Sequence, residues 1–411
     1  MKQAQQIKVS PDATSKVTVT VTVAKRYERM GRKEVDEIAA VEVGEAEDRI
    51  RSWGGIRWLA VVELGKRKPD RQFTAMFDSA RYDGRMPYRR CGDSGLLLPA
   101  ISLGFWHNFG HVDDFEEARR IMRRAFDRGV THFDLANNYG PPAGSAEENV
   151  GRILVEDFAS HRDELIITSK AGHDMWSGPY GQAGSRKHLL ASLDQSLRRL
   201  RLNYVDVFYS HCPDPETRLE ETMSALATAV NSGRALYVGL SKYPLKRLKK
   251  AVRILKDMGI RCVVYQPPYS ILNRWPEAEG ILDYLLEEGI GCVGFSPLAQ
   301  GMLTPKYLGG IPEDSRAARP EGFLQVEQVA AQQEKIRALG DLAAAHGMAL
   351  NHLAIQWTLR SPAVTSSIIG ARTVAQLDDS LDALQSEMPG EALLEAIDAI
   401  APAAKKKHAE N

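Results

Sequence analysis

The sequence predicts an α/β protein, a (β/α)8 TIM barrel with a short N-terminal hairpin capping its bottom. Three observations carry that prediction. Short apolar runs alternate with amphipathic runs eight times over roughly 290 residues, the length such a barrel needs. Each amphipathic run repeats its apolar residues at three-to-four spacing and ends at a glycine or a turn. The alternative, a doubly wound sheet, ranks behind because ISLGFWHNFG lacks the glycine spacing of a dinucleotide-binding turn.

Taken in order, the chain first changes character near Met76. Before it, SKVTVTVTVAKRYERMGRKEVDEIAAVEVGEAEDRIRSW mixes a Val/Thr alternation with dense charge. The alternation reads as one strand, and a lone strand has no sheet to complete. Residues 1–75 are therefore expected to be a disordered leader, or the product of a start placed too far upstream. Residues 76–400 form the barrel domain in this reading, and 401–411 a charged tail. YRRCGDSGLLLP, Tyr88–Pro99, holds two strand-like pieces around Asp-Ser-Gly and is the expected hairpin.

The units then follow one another. PAISLGF leads into DFEEARRIMRRAFDRG, THFDLA into SAEENVGRIL, and ELIITSK into RKHLLASLDQSLRRL. YVDVFYSH precedes LEETMSALATAVNSG, ALYVGLSKY precedes LKRLKKAVRILKDMG, and RCVVYQPPY precedes GILDYLLEEG. IGCVGFSPL opens a longer helical region ending in NHLAIQWTLR, and TSSIIGA closes the series with TVAQLDDSLDAL.

Composition narrows the function classes. Lys plus Arg and Asp plus Glu each count 53 in 411 residues, so no global basic field points to nucleic acid or an anionic membrane. Four scattered cysteines without a CxxC pair fit reduced thiols in a cytoplasm better than a disulfide framework or a zinc site. No apolar stretch reaches the roughly 18 residues of a membrane-spanning helix. The basic helix LKRLKKAVRILK reads as a solvated outer face.

In a barrel, chemistry gathers at the C-terminal ends of the strands. Asp134, Lys170 and His211 end three successive strands, and Tyr139 lies in the loop just after Asp134. Any one of them alone has an ordinary structural reading. Together they make a constellation of acid, phenol, cation and imidazole, and no set of histidines suited to a metal accompanies them.

The segments THFDLANNYGPPAGSAEENVGRIL, IITSKAG and YSHCPDPETRLEETMSAL resemble the catalytic segments of the aldo-keto reductases, with a likeness running from about Tyr88 to Leu384. WHNFG, WSGPYGQAGSRK and GGIPEDSRAA are similar to the L-glyceraldehyde 3-phosphate reductase group, relatives of the potassium-channel β-subunits. The resemblance implies NADPH-dependent reduction of a small aldehyde such as L-glyceraldehyde 3-phosphate or methylglyoxal. It leaves a homo-oligomer open, and beside it stands a redox-sensing NADPH-binding module with slow turnover.

Reduction leaves an alkoxide that needs a proton, which Tyr139 supplies in this reading. Lys170 is expected to lower the phenol's pKa, Asp134 to hold Lys170 charged, and His211 to orient the carbonyl. By resemblance Ser241 and Gln266 meet the nicotinamide amide, Phe295 stacks on the ring, and Ser296, Leu298 and Gly301 wrap the pyrophosphate. Lys306, Ser315, Arg316, Gly370, Arg372 and Gln376 embrace the adenosine 2′-phosphate end. Asp379 and Ser380 stand there where Glu and Asn are common. Trp106, Trp176 and Tyr180 line the substrate mouth, with His107 or Arg186 placed to meet an anionic group.

Overall fold

The computed structural model describes residues 77–312 and 324–404, with the backbone of residues 20–24 and 59–63. The chain divides into two compact units, Met1–Ala75 and Met76–Asn411. In the first, β1 (Thr20–Ala24) runs antiparallel to β2 (Leu59–Glu63), Thr20 opposite Glu63. The Val/Thr alternation is therefore a strand, and it is not a lone one. Its partner, LAVVE, lies far along the chain and carries no turn signal that ties the two together.

In the second unit, β3 (Tyr88–Arg90) and β4 (Leu97–Pro99) form the hairpin, Tyr88 opposite Pro99. The barrel strands are β5 (Ile101–Gly104), β6 (His132–Asp134), β7 (Ile166–Ala171) and β8 (Val205–Ser210). They continue as β9 (Ala235–Ser241), β10 (Cys262–Gln266), β11 (Gly291–Phe295) and β12 (Val364–Ile369). All run parallel in chain order, and β12 closes on β5 through Ser367 opposite Ile101.

Around them lie α1 (Phe115–Asp127), α2 (Ser145–Asp157), α3 (Arg186–Leu200), α4 (Leu219–Asn231) and α5 (Leu245–Asp257). The ring continues with α6 (Trp275–Ala278), α7 (Ile281–Glu288), α8 (Val326–Ala345), α9 (Leu350–Leu359), α10 (Val374–Asp382) and α11 (Glu391–Ile400). The long helical region after β11 is two helices, because the chain turns at Gly347, whose φ of 67° is left-handed.

α1 shows how sequence makes such a helix. The Asp114 side chain accepts from the N–H groups of Glu116 and Glu117, capping its start. Ala118, Ile121, Met122, Ala125 and Phe126 then bury one stripe against the sheet. α5 repeats the device with Leu248, Ala251, Val252 and Leu255, leaving Lys246, Lys249, Lys250 and Lys256 in solvent. That basic helix is a solvated face.

The hairpin closes the N-terminal end of the barrel. Cys91, Leu96 and Leu98 pack with the interior side chains Val207, Val263, Val293 and Ile368. Each large aliphatic group so buried contributes about 2 kcal/mol. At Gly92 a Cβ would meet the carbonyl oxygen of Gly289 at 2.0 Å, so only glycine lets hairpin and barrel rim approach this closely.

Candidate active site

The opposite end of the barrel is filled differently. Side chains alternate along a strand, so Thr168 and Lys170 share the inner face of β7, as His132 and Asp134 share that of β6. Asp134 pairs across the ladder with Thr168. This register brings Lys170 Nζ to 2.6 Å from Asp134 Oδ2, with the lysine fully buried and the aspartate nearly so.

A buried charge is costly unless it is paired and hydrogen-bonded. Here all three ammonium donors are used: Asp134 Oδ2 and the Leu135 carbonyl at 2.6 Å each, and the Tyr139 oxygen at 3.3 Å. Asp134 Oδ1 accepts from Thr168 Oγ1 and Gln266 Nε2, each at 2.9 Å. Because the Tyr139 oxygen accepts from Lys170, its own hydrogen is left to point elsewhere. The partly exposed ring of Tyr139 packs edge-on to His211, centroids 5.9 Å apart.

Electrostatics correct one expectation. Burial, reinforced by Asp134, pushes the Tyr139 phenol well above its ordinary value, whereas a lowered value was expected. Desolvation, with the Asp134 carboxylate acting in the same direction, outweighs the nearby cation. Burial also lowers Lys170, against the pull of Asp134. The phenol therefore stays protonated near neutral pH, which suits a proton donor. His211 is lowered well below the usual imidazole range by burial, then by Lys242, Lys170 and His173, and is neutral.

Sequence reasoning missed His173 and Lys242. The His173 ring lies 4.4 Å from that of His211, and Lys242 Nζ is 2.9 Å from His173 Nε2. Both follow strand ends, His173 three residues after Lys170 and Lys242 next to Ser241, so the rule that found Lys170 reaches them too.

Of the residues assigned to a cofactor, Ser241 and Gln266 sit together, the Ser241 hydroxyl donating to the Gln266 carbonyl at 2.8 Å. Gln266 Nε2 is engaged by Asp134. Phe295 and Ser296 line a groove of about 490 Å³ with Trp106, Ala299 and Gln300. Ser296, Ala299, Gln300 and Gly301 all have positive φ, and Leu298 lies among them, so this turn presents its backbone tightly after β11.

Gly370 and Arg372 lie between β12 and α10 and Gln376 in the first turn of α10, all exposed, with Gln376 Oε1 accepting the Arg372 N–H at 3.0 Å. Lys306 is exposed on a 3-10 turn. Asp379 instead accepts from Asn351 Nδ2 at 2.7 Å and approaches His352, and Ser380 is buried. Ser315 and Arg316 lie outside the described residues.

The three aromatic residues do not share one pocket. Trp106 lines the groove beside Phe295, whereas Trp176 lines a separate cleft of about 460 Å³ with Asp174 and Gln182. Tyr180 is half exposed under Lys187, 5.2 Å from its ring. His107 packs on Trp106, centroids 4.2 Å apart. Arg186 is turned away, its guanidinium donating to the Ser224 carbonyl at 2.8 Å, because α4 offers a closer acceptor than the mouth.

The mouth has unsatisfied groups that fit a polar ligand. Among the described residues, neither amide atom of buried Asn137 finds a hydrogen-bond partner, nor does Nδ1 of His211. Such orphans are uncommon in a folded chain and mark places where a bound molecule completes the bonding.

Comparison with known proteins bears directly on this arrangement. Residues 100–401 match the family model described as the Aldo/keto reductase family. The chain is 55% identical over 307 residues to the L-glyceraldehyde 3-phosphate reductase of Escherichia coli strain K12, covering 74% of this chain and 89% of that protein. The same figures hold for the protein of that name from Escherichia coli O157:H7. The fold is similar to that of the aldo-keto reductase AKR11C1 from Bacillus halodurans in its holo form, at 24% identity and a TM-score of 0.65, covering 78% of this chain and 98% of that one.

Proposed function

This chain belongs to the aldo/keto reductase family and is an oxidoreductase, and on that premise we propose that it reduces a small aldehyde, L-glyceraldehyde 3-phosphate, methylglyoxal or a close relative, with NADPH. The observation that carries the reading is the fully used ammonium of Lys170. It holds the Tyr139 oxygen from behind and leaves the phenolic hydrogen to a substrate.

When bound, NADPH supplies the hydride. Phe295, the turn from Ser296 to Gly301, and the cluster of Gly370, Arg372 and Gln376 are the residues that would hold it. A planar guanidinium at Arg372 suits a phosphate and favours NADPH over NADH. Tyr139 gives its proton to the carbonyl oxygen as negative charge develops there. The Lys170 ammonium at 3.3 Å then stabilises the phenolate left behind. Neutral His211 keeps an N–H for the same oxygen and brings no charge that competes with Lys170. Asp134 holds the ammonium in place throughout. The four thiols are unpaired, which supports a reducing cytoplasm as the setting.

NADPH oxidation followed by absorbance against L-glyceraldehyde 3-phosphate, methylglyoxal and an aromatic aldehyde tests the proposal. Turnover of either small aldehyde, abolished by Tyr139→Phe, is expected. Tight NADPH binding with negligible turnover of all three would replace it with a redox-sensing module.

A further inference from the structure

The groove beside Phe295 has one wall whose shape is set from outside the reaction centre. That wall is the turn at residues 270–273, where Ser270, Leu272 and Asn273 line the groove. Ser270 and Asn273 exchange backbone hydrogen bonds of 3.1 and 3.0 Å, so the turn moves as one piece. It hangs between two anchors, Tyr269 and Arg274. Tyr269 donates its N–H to the Phe295 carbonyl at 3.0 Å. Its hydroxyl donates to Glu277 and accepts from Arg360 Nη1 at 2.7 Å.

Arg274, the second anchor, reaches out of the site altogether. Its buried guanidinium donates from Nε and Nη2 to Glu277 Oε2, at 3.1 and 2.7 Å. Nη1 donates to Asp398 Oδ1 at 2.6 Å and to the Ala401 carbonyl at 2.8 Å. Asp398 belongs to α11, and Ala401 follows its last residue. Arg360 lies over the Trp357 ring, 3.7 Å from its centroid, and gives Nη2 to Glu277 Oε1 at 2.7 Å. Two guanidiniums thus share the Glu277 carboxylate, and Asp398 supplies the second negative charge. Without it Arg274 would be buried and underpaired, which is costly. α11 also packs on α8, whose Gln328 and Gln332 line the same groove.

Resting on the reductase reading above, we propose that α11 braces the cofactor groove. Arg274, held by Asp398 and the Ala401 carbonyl, is the positioning residue that fixes residues 270–273 against the bound nicotinamide cofactor. The docking of α11 and the closing of this wall are one event. Tyr139 and Lys170 are held by separate bonds, so the brace acts on how tightly the cofactor is kept and not on the proton transfer.

The test measures NADPH Kd by quenching of protein fluorescence, and kcat at saturating NADPH, in the wild type, Asp398→Ala, Arg274→Met and the double variant. The Asp398 side chain is half exposed, so its removal leaves the core packing intact. In Asp398→Ala, Kd is expected to rise about 2- to 30-fold, the range for a residue coupled to a ligand it does not touch, with kcat near the wild-type value. Arg274→Met should raise Kd at least as much, and adding Asp398→Ala should change it no further, because Asp398 acts through Arg274. Arg274→Lys should recover part of the affinity, and it takes the place of Arg274→Met in the cycle if that variant does not fold. A wild-type Kd in Asp398→Ala overturns the proposal and leaves the reductase reading standing. Losses that simply add in the double variant overturn it too, as does a fall in kcat as large as the rise in Kd. A wild type that binds neither NADPH nor NADH removes the reductase reading itself, and the brace with it.

Discussion

The two ends of this barrel are built from the same alternating strands and filled with opposite chemistry. At the hairpin end, Cys91, Leu96, Leu98, Val207, Val263 and Val293 form an apolar plug. At the other end the next inward positions are Asp134, Lys170 and Gln266, tied by hydrogen bonds of 2.6 to 2.9 Å. Burial stabilises directly in the first region. In the second it is a cost that hydrogen bonding must offset, and the result is a cation fixed behind a phenol. The difference teaches that stability and chemistry are separated along each strand by only one or two inward residues.

Lys170→Met should break the contrast most, because it leaves Asp134 buried without its cation. Turnover is expected to fall about 100- to 1,000-fold, and urea unfolding should show a loss of about 3–5 kcal/mol. The double variant with Asp134→Asn should recover much of that stability but none of the turnover. If both return together, the pair does not serve the phenol.

Leu98→Ala is the counterpart at the plug. About 3 kcal/mol of stability should disappear, with kcat near the wild-type value. A large fall in kcat in the folded variant would show that the two ends are coupled.

Between them, pH probes His132, which is fully buried, bonded to Ser102 and pushed down to about 4. The unfolded chain takes up a proton at about 6.5 and the native one only near 4. The stability from this residue is therefore complete above pH 6.5 and is lost as pH falls towards 4, about 3 kcal/mol in all. His132→Asn should unfold with a correspondingly shallower acid dependence, and an unaltered one would remove His132 as the cause.

The smallest effect is at the rim. Arg372→Ala should weaken NADPH about tenfold and NADH little. Equal losses for the two cofactors would take Arg372 out of the phosphate pocket.

Much of this is legible in the sequence. Periodicity alone located all eight barrel strands, and Asp-Ser-Gly between strand-like pieces located the hairpin. Asp134, Lys170 and His211 were readable because charge at the end of an apolar strand is conspicuous. His173 and Lys242 also follow strand ends, two residues after β7 and one after β9, but they stand outside the apolar runs, where a charge is less conspicuous. The sign of the Tyr139 shift was misjudged for a related reason: sequence shows a neighbouring cation, whereas burial is set by the whole mouth. The partner of β1 is equally non-local.

The most direct test of the central claim, that Tyr139 held by Lys170 is the proton donor, uses Tyr139→Phe. NADPH affinity and turnover of the best aldehyde are measured on one preparation. Turnover should fall about 100- to 10,000-fold while NADPH affinity stays near the wild-type value. Turnover that survives would contradict the claim, as would a loss explained by failed cofactor binding.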